Sequence, residues 1–250
     1  MSGHSKWSQI KRKKGANDAK RGKLFTKIGR EITVAAQGGG GNPEDNSSLR
    51  LAISKARQAN MPRDNIERAI ERATSAAAAD SFDEVRYEGY GPGGAALLIE
   101  TLTDNRNRTV SEVRSTLTKA GGNMAEAGSV AWNFNQQGII SVDMESDDDP
   151  DAIGLQAIDA GAEDVVDEDG LLEVITVPRE TDKVRQTLED AGVHVSAAEV
   201  QWRAGSMVEL DESKARSLLK LIDSLEDLDD VQHVASNADI PEAAFAEVET

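Results

Sequence analysis

Between residues 137 and 203 the chain alternates short apolar runs with amphipathic ones in an order that few folds accommodate. Ile139 to Val142 reads as a strand and Pro150 to Ala160 as a helix. Asp164 to Val166 and Leu171 to Val177 read as two strands joined by an Asp167-Glu168-Asp169-Gly170 turn. Thr181 to Ala191 is a second helix and Val193 to Trp202 a closing strand. A β-α-β-β-α-β series of this kind folds as the ferredoxin-like split β-α-β. The flanking stretches 85–135 and 205–240 follow a similar grammar. They offer strands over Ala95 to Leu102, Gly128 to Phe134, Ser206 to Leu210 and Val231 to Ala235, with helices over Thr109 to Ala120 and Glu212 to Ser224. The alternation of Val130, Trp132 and Phe134 predicts a half-buried strand with Trp132 in a core.

Upstream of residue 80 the period changes to that of helices. Leu24, Ile28 and Ile32 recur every four residues from Asp18 onward, and Phe25, Ala35 and Ala36 fill the same side. Gly38 to Pro43 ends this helix as a linker, since no Gly-Lys-Ser/Thr follows to make a P-loop. Asn46 or Ser47 caps a second helix with Leu49, Ala52, Ile53 and Ala56 inward and Arg50 and Arg57 outward. Asn60-Met61-Pro62 breaks it, and Asp64 with Glu67 predicts a capping box for a third helix burying Ile66, Ala69, Ile70 and Ala73. The expected class is therefore α+β: an N-terminal three-helix domain followed by two ferredoxin-like α/β sandwiches, one inserted in the other. Its expected boundaries are 1–78, 79–135 plus 205–250, and 136–204 for the insert.

Charge supplies the functional argument. Ten of the first 30 residues are Lys or Arg and only Asp18 is acidic, whereas the 250-residue chain has a formal net charge of -17. The remainder therefore carries about -26, so one end suits a polyanion and the rest repels it. Lys6, Lys11, Arg12, Lys13 and Lys14 form a basic tail with Trp7 as a candidate stacking group. At roughly 100° per residue, Lys20, Lys23, Lys27 and Arg30 fall on one ridge of the first helix, and Arg21 adds a further cation. A second candidate is the loop Thr103 to Thr109, where Asn105, Arg106, Asn107 and Arg108 carry side chains that bond phosphates and base edges. The bland alternative for this loop is a strand-to-helix connection capped by Asn107 or Thr109.

Residues for catalysis or metal binding are not arranged as such chemistry requires. There is no cysteine, and His4, His194 and His233 have no partner at metal-ligand spacing. Gly89, Gly91 and Gly94 spell G-x-G-x-x-G, but the run leads into a strand and contains Pro92. The acidic run at Asp147 to Asp151 has Ala152 and Ile158 where an EF-hand needs Gly and Glu. We expect no enzyme, no cofactor and no small-molecule substrate. No apolar run reaches about 18 residues, so no membrane partner is expected either, and the cytoplasm is the expected compartment.

Several irregular motifs add a resemblance. Gly3-His-Ser-Lys-Trp7, Asp18-Ala-Lys-Arg-Gly-Lys-Leu-Phe-Thr-Lys27, Asn60-Met-Pro-Arg-Asp64, Tyr87-Glu-Gly-Tyr-Gly-Pro-Gly-Gly94, Thr103-Asp-Asn-Arg-Asn-Arg-Thr109 and Gly121-Gly-Asn123 closely resemble the YebC/PmpR family. The resemblance implies a helical N-terminal domain and two α/β domains. It also implies a cytoplasmic, non-enzymatic, DNA-binding regulator of transcription. A ribosome-associated, RNA-binding role in relieving translational stalling is the competing family-level account. A protein-interaction scaffold is a third reading of the basic arm.

Overall fold

The computed structural model describes residues 18–75, 82–144, 148–168 and 171–245, and these contain seven α-helices and two four-stranded sheets. They divide between two compact units. One comprises residues 1–27, 81–135 and 202–250, and the other 28–80 and 136–201. The mixed α+β class is as expected.

In the second unit the helical segment is built on small apolar contacts. Helix α1 (Asp18–Gly39) enters it from Ile28 onward, and Ile28, Ile32 and Ala36 are buried. Helix α2 (Ser47–Gln58) buries Leu49, Ala52, Ile53 and Ala56, and α3 (Arg63–Thr74) buries Ile66, Ala69 and Ala73. Buried Asn46 joins two helix ends. Its Oδ1 accepts from Leu49 N at 3.0 Å to cap α2, and its Nδ2 donates to Ala35 O at 2.8 Å and Gly40 O at 2.9 Å, two carbonyls at the end of α1. Asn60, with φ +56°, terminates α2 in the left-handed region that asparagine tolerates. The expected capping box on α3 does not form. Pro62 stands at the N-cap with no side-chain bond, and Glu67 pairs with Arg63 at 2.6 Å.

The same unit holds β4 (Phe134–Asp143) from residue 136 onward, α5 (Pro150–Ala160), β5 (Asp164–Glu168), β6 (Leu171–Thr176), α6 (Thr181–Asp190) and β7 (Val195–Ala204) as far as residue 201. Their sheet order β5-β6-β4-β7 is the ferredoxin-like one, with β4 and β5 each antiparallel to β6. Asp149 caps α5, and Ile140, Val142, Leu172 and Val174 meet Ile153, Ala157, Val184 and Leu188 in its core. Arg50 is not a solvated outward residue. Its Nε lies 2.5 Å from buried Asp182 on α6, and its Nη1 donates to Pro43 O at 2.6 Å and Glu44 O at 2.7 Å. Arg185 holds the other oxygen of Asp182 at 2.8 Å.

The first unit takes a different route from the one expected. Asp83 to Tyr90, a glycine-containing stretch, is itself a strand, β1, and forms an antiparallel hairpin with β2 (Ala96–Thr103). The turn between them places Gly93 and Gly94 at φ +77° and +79°, which glycine adopts without a Cβ penalty. The G-x-G-x-x-G match is thus a strand-to-strand turn. Next come α4 (Arg106–Lys119) and β3 (Asn123–Met124), then β8 (Val208–Glu209), α7 (Glu212–Glu226), β9 (Val231–Ser236) and β10 (Ala238–Asp239). The main sheet runs β3-β1-β2-β9, while β8 pairs only with β10 in a separate parallel ribbon. Leu97 and Ile99 face Val113 and Leu117 of α4 and Leu218 and Ile222 of α7. Leu98 and Ala96 face the other way, against Val130, Phe134 and Trp202.

Residues 131–133 form a 3-10 turn, not the expected strand, and Trp132 is 75% exposed, not in the core. Its Nε1 donates to Ser129 O at 3.0 Å. The loop is held by Glu88 on β1, whose buried carboxylate accepts from the backbone N–H groups of Gly128 at 2.7 Å, Val130 at 2.6 Å and Ala131 at 2.9 Å. Burial pushes the Glu88 pKa up, but these three bonds more than offset it and hold the group below the ordinary glutamate value.

Arg50→Ala strips one charged partner from a buried carboxylate and should cost about 2 kcal/mol in urea denaturation. Exposed Arg57→Ala on the same helix should cost less than about 0.5 kcal/mol. For Glu88 the depressed pKa sets the sign. Its contribution is present above the ordinary glutamate pKa and lost as the pH falls through the lower folded value. Glu88→Gln should therefore unfold about 2 kcal/mol more easily at pH 7, and urea titrations at successively lower pH should show that gap closing.

Candidate nucleic-acid interface

An interface for a polyanion needs cations that the protein's own acids do not neutralise. The candidate residues differ sharply on this test. Lys6, Trp7, Lys11, Arg12, Lys13 and Lys14 lie outside the described residues. Lys20 lies in the first turn of α1, its side chain also outside the described set.

Helix α1 is amphipathic only in its second half, because Leu24, expected on the buried stripe, is 39% exposed. Arg21 is exposed, its guanidinium lies 5.7 Å from the Phe25 ring centroid in a cation–π arrangement, and it has no ion-pair partner among the described residues. Lys23 is exposed and its ammonium donates to Asp227 O at 3.2 Å. Half-buried Lys27 donates to Glu226 O. Both acceptors are carbonyls at the C-terminal end of α7, where carbonyls lack intrahelical partners and the helix dipole is negative. The two lysines thus anchor α1 to α7 through carbonyl acceptors. Arg30, the fourth member of the ridge, is half-buried and belongs to the other unit.

The second candidate set has another arrangement. Asn105, not Asn107 or Thr109, caps α4, accepting from Arg108 N at 3.1 Å, so Arg106, Asn107 and Arg108 form the first helical turn. Cations there oppose the helix dipole, and each guanidinium is matched by acids. Arg106 Nε bonds Asp83 at 2.7 Å, which holds the Asp83 carboxyl below its ordinary pKa. Arg108 Nη2 reaches Asp230 at 2.8 Å and Asp104 at 2.7 Å, and these bonds keep it more firmly protonated than an ordinary arginine. Asp230 is buried and also accepts from the hydroxyls of Thr103 at 3.1 Å and Thr109 at 2.7 Å. The cluster ties β2 and α4 to the residue before β9. Asn107 is exposed beside it.

Sequence reasoning missed two features of this unit. The alternation of Val130, Trp132 and Phe134 points Trp132 to a core, whereas the fold leaves it 75% exposed. Lys119 and Lys220 lie on different helices and share no local pattern, and only packing brings α4 and α7 together along a groove. Among the described residues no group of three or more His, Asp or Glu side chains could hold a metal ion, and no helix is long and apolar enough to cross a membrane.

Comparison with known proteins gives the chain its kinship. Residues 82–238 match the family described as TACO1/YebC second and third domain, and residues 5–76 match the TACO1/YebC protein N-terminal domain. A protein of Halothermothrix orenii named "Probable transcriptional regulatory protein" is 52% identical over 250 residues, spanning 99% of each chain. A protein of the same name from Trichlorobacter lovleyi is 55% identical over 240 residues, 96% of each chain. The crystal structure of a conserved hypothetical protein from Aquifex aeolicus superposes with a TM-score of 0.82 at 46% identity, covering 90% of this chain and 93% of that one. With its N-terminal, second and third domains all matched in order, the chain belongs to the TACO1/YebC family.

Proposed function

We propose that this protein is a regulator of transcription that binds DNA through its N-terminal basic arm and the exposed side of α1, without catalysing a reaction. The observation that carries the reading is charge segregation: ten cations against one acid in the first 30 residues of a chain whose net charge is -17. The names of the relatives, probable transcriptional regulatory proteins, support the regulatory half of it. Lys6, Lys11, Arg12, Lys13 and Lys14 follow phosphates, Trp7 stacks on or beside a base, and Lys20, Arg21, Lys23, Lys27 and Arg30 set the register. Lys23 and Lys27 bond carbonyl oxygens of α7, and as cations they contribute to the positive field even where they do not touch the strand. The acidic remainder limits which side of the molecule approaches the duplex.

Engagement of about six phosphates predicts a log K against log salt slope near -5 on duplex DNA, read by fluorescence anisotropy. Replacing Lys11, Arg12, Lys13 and Lys14 by glutamine should reduce that slope by about 3 to 4 without changing the melting temperature. A wild-type slope near zero contradicts the proposal. Crosslinking in cells and sequencing the bound nucleic acid identifies the target: promoter enrichment supports a transcriptional role, and enrichment of ribosomal RNA contradicts it in favour of translation.

A further inference from the structure

We propose that the groove between α4 and α7 is a second seat for a DNA backbone phosphate, with Lys119 and Lys220 as its cations, an inference that rests on the DNA-binding reading above. The groove is open to solvent, has a volume of about 540 Å³, and is lined by Thr116, Lys119, Ser217, Lys220 and Ser224 over an apolar floor that includes Leu221. Both lysines are exposed and neither has an ion-pair partner among the described residues.

Most of the other cations on these two helices are matched by acids, with Arg114 the exception among the described residues. Arg108 of α4 is held by Asp104 and Asp230, and on α7 Lys214 pairs with Asp211 and Arg216 with Glu212. An acidic chain that matches Arg108, Lys214 and Arg216 with carboxylates leaves two ammonium groups bordering one depression, where they repel each other unless an anion lies between them. The hydroxyls suit an oxyanion. Ser217 and Ser224 donate to the carbonyls of Ser213 at 2.9 Å and Lys220 at 2.8 Å, bonds that a rotation about χ1 can exchange for a bond to a ligand oxygen. The Thr116 hydroxyl has no partner among the described residues. Two ammonium groups with three hydroxyls fit a phosphate better than a planar carboxylate, which bidentate arginine recognises.

Position argues for a phosphate in a polymer. Lys220 lies seven residues before Asp227, about 10 Å along the α7 axis. Asp227 is where Lys23 docks, at 3.2 Å. A strand lying on the basic side of α1 therefore meets the C-terminal end of α7 and needs only about three more nucleotide steps to reach the groove.

The test compares duplex DNA binding by the full chain, a Lys119→Gln/Lys220→Gln variant and the arm variant described above. Loss of two phosphate contacts should weaken binding about 10-fold or more near 0.1 M salt and reduce the salt slope by about 2. In the wild type, bound DNA should also protect the Lys119 and Lys220 amines from acetylation, read by mass spectrometry. If the double variant keeps wild-type affinity and slope, and the two amines acetylate equally with and without DNA, the groove is not a DNA contact. Loss of binding in the arm variant alone would then leave the arm reading standing. Protection by inorganic phosphate but not by DNA overturns the proposal in favour of a small phosphate ligand, and a wild type that binds no DNA overturns both readings.

Discussion

A chain with a net charge of -17 can hold a polyanion only if its cations are kept away from its own carboxylates. Much of the described structure can be read as the working out of that constraint. Arg50 and Arg185 share buried Asp182, Arg106 takes Asp83, and Arg108 takes Asp230 and Asp104. Arg86 lies 4.9 Å over the Trp202 ring. In these positions a positive charge is spent on the fold. On α1, Lys23 and Lys27 bond carbonyls at the end of α7, which satisfies acceptors that lack intrahelical partners.

How much of this was legible in the sequence follows from the range of the interactions involved. The inserted β-α-β-β-α-β unit was readable because its determinants are local: Asp149 caps α5, and β4 and β6 each contain a short apolar stretch. Helices α2 and α3 were readable for the same reason, their buried residues recurring at helical spacing. Strand β1 was not, because Gly89 and its charged residues lower its strand propensity and only pairing with β2 fixes it. Trp132 misled because an alternating Val130, Trp132 and Phe134 fits a strand as well as a 3-10 turn. The choice between them is made by Glu88, about forty residues away in the chain.

The candidate site divides along the same line. A basic arm is compositional and can be counted. Whether Arg50, Arg106 or Arg108 is available to a ligand is a tertiary fact, set by acids at positions 182, 83 and 230 that no local pattern connects to them. Conversely, Lys119 and Lys220 share no local pattern and become neighbours of one groove only when α4 packs beside α7. Counting charges identifies the kind of partner, and the pairing of charges in the fold identifies the surface.

Ultraviolet crosslinking of the full chain to duplex DNA, followed by mass spectrometry of the attached peptides, tests the central claim most directly. The account predicts that crosslinked peptides come predominantly from residues 1–30. Crosslinks concentrated in residues 136–201, with few or none in the basic arm, would contradict it.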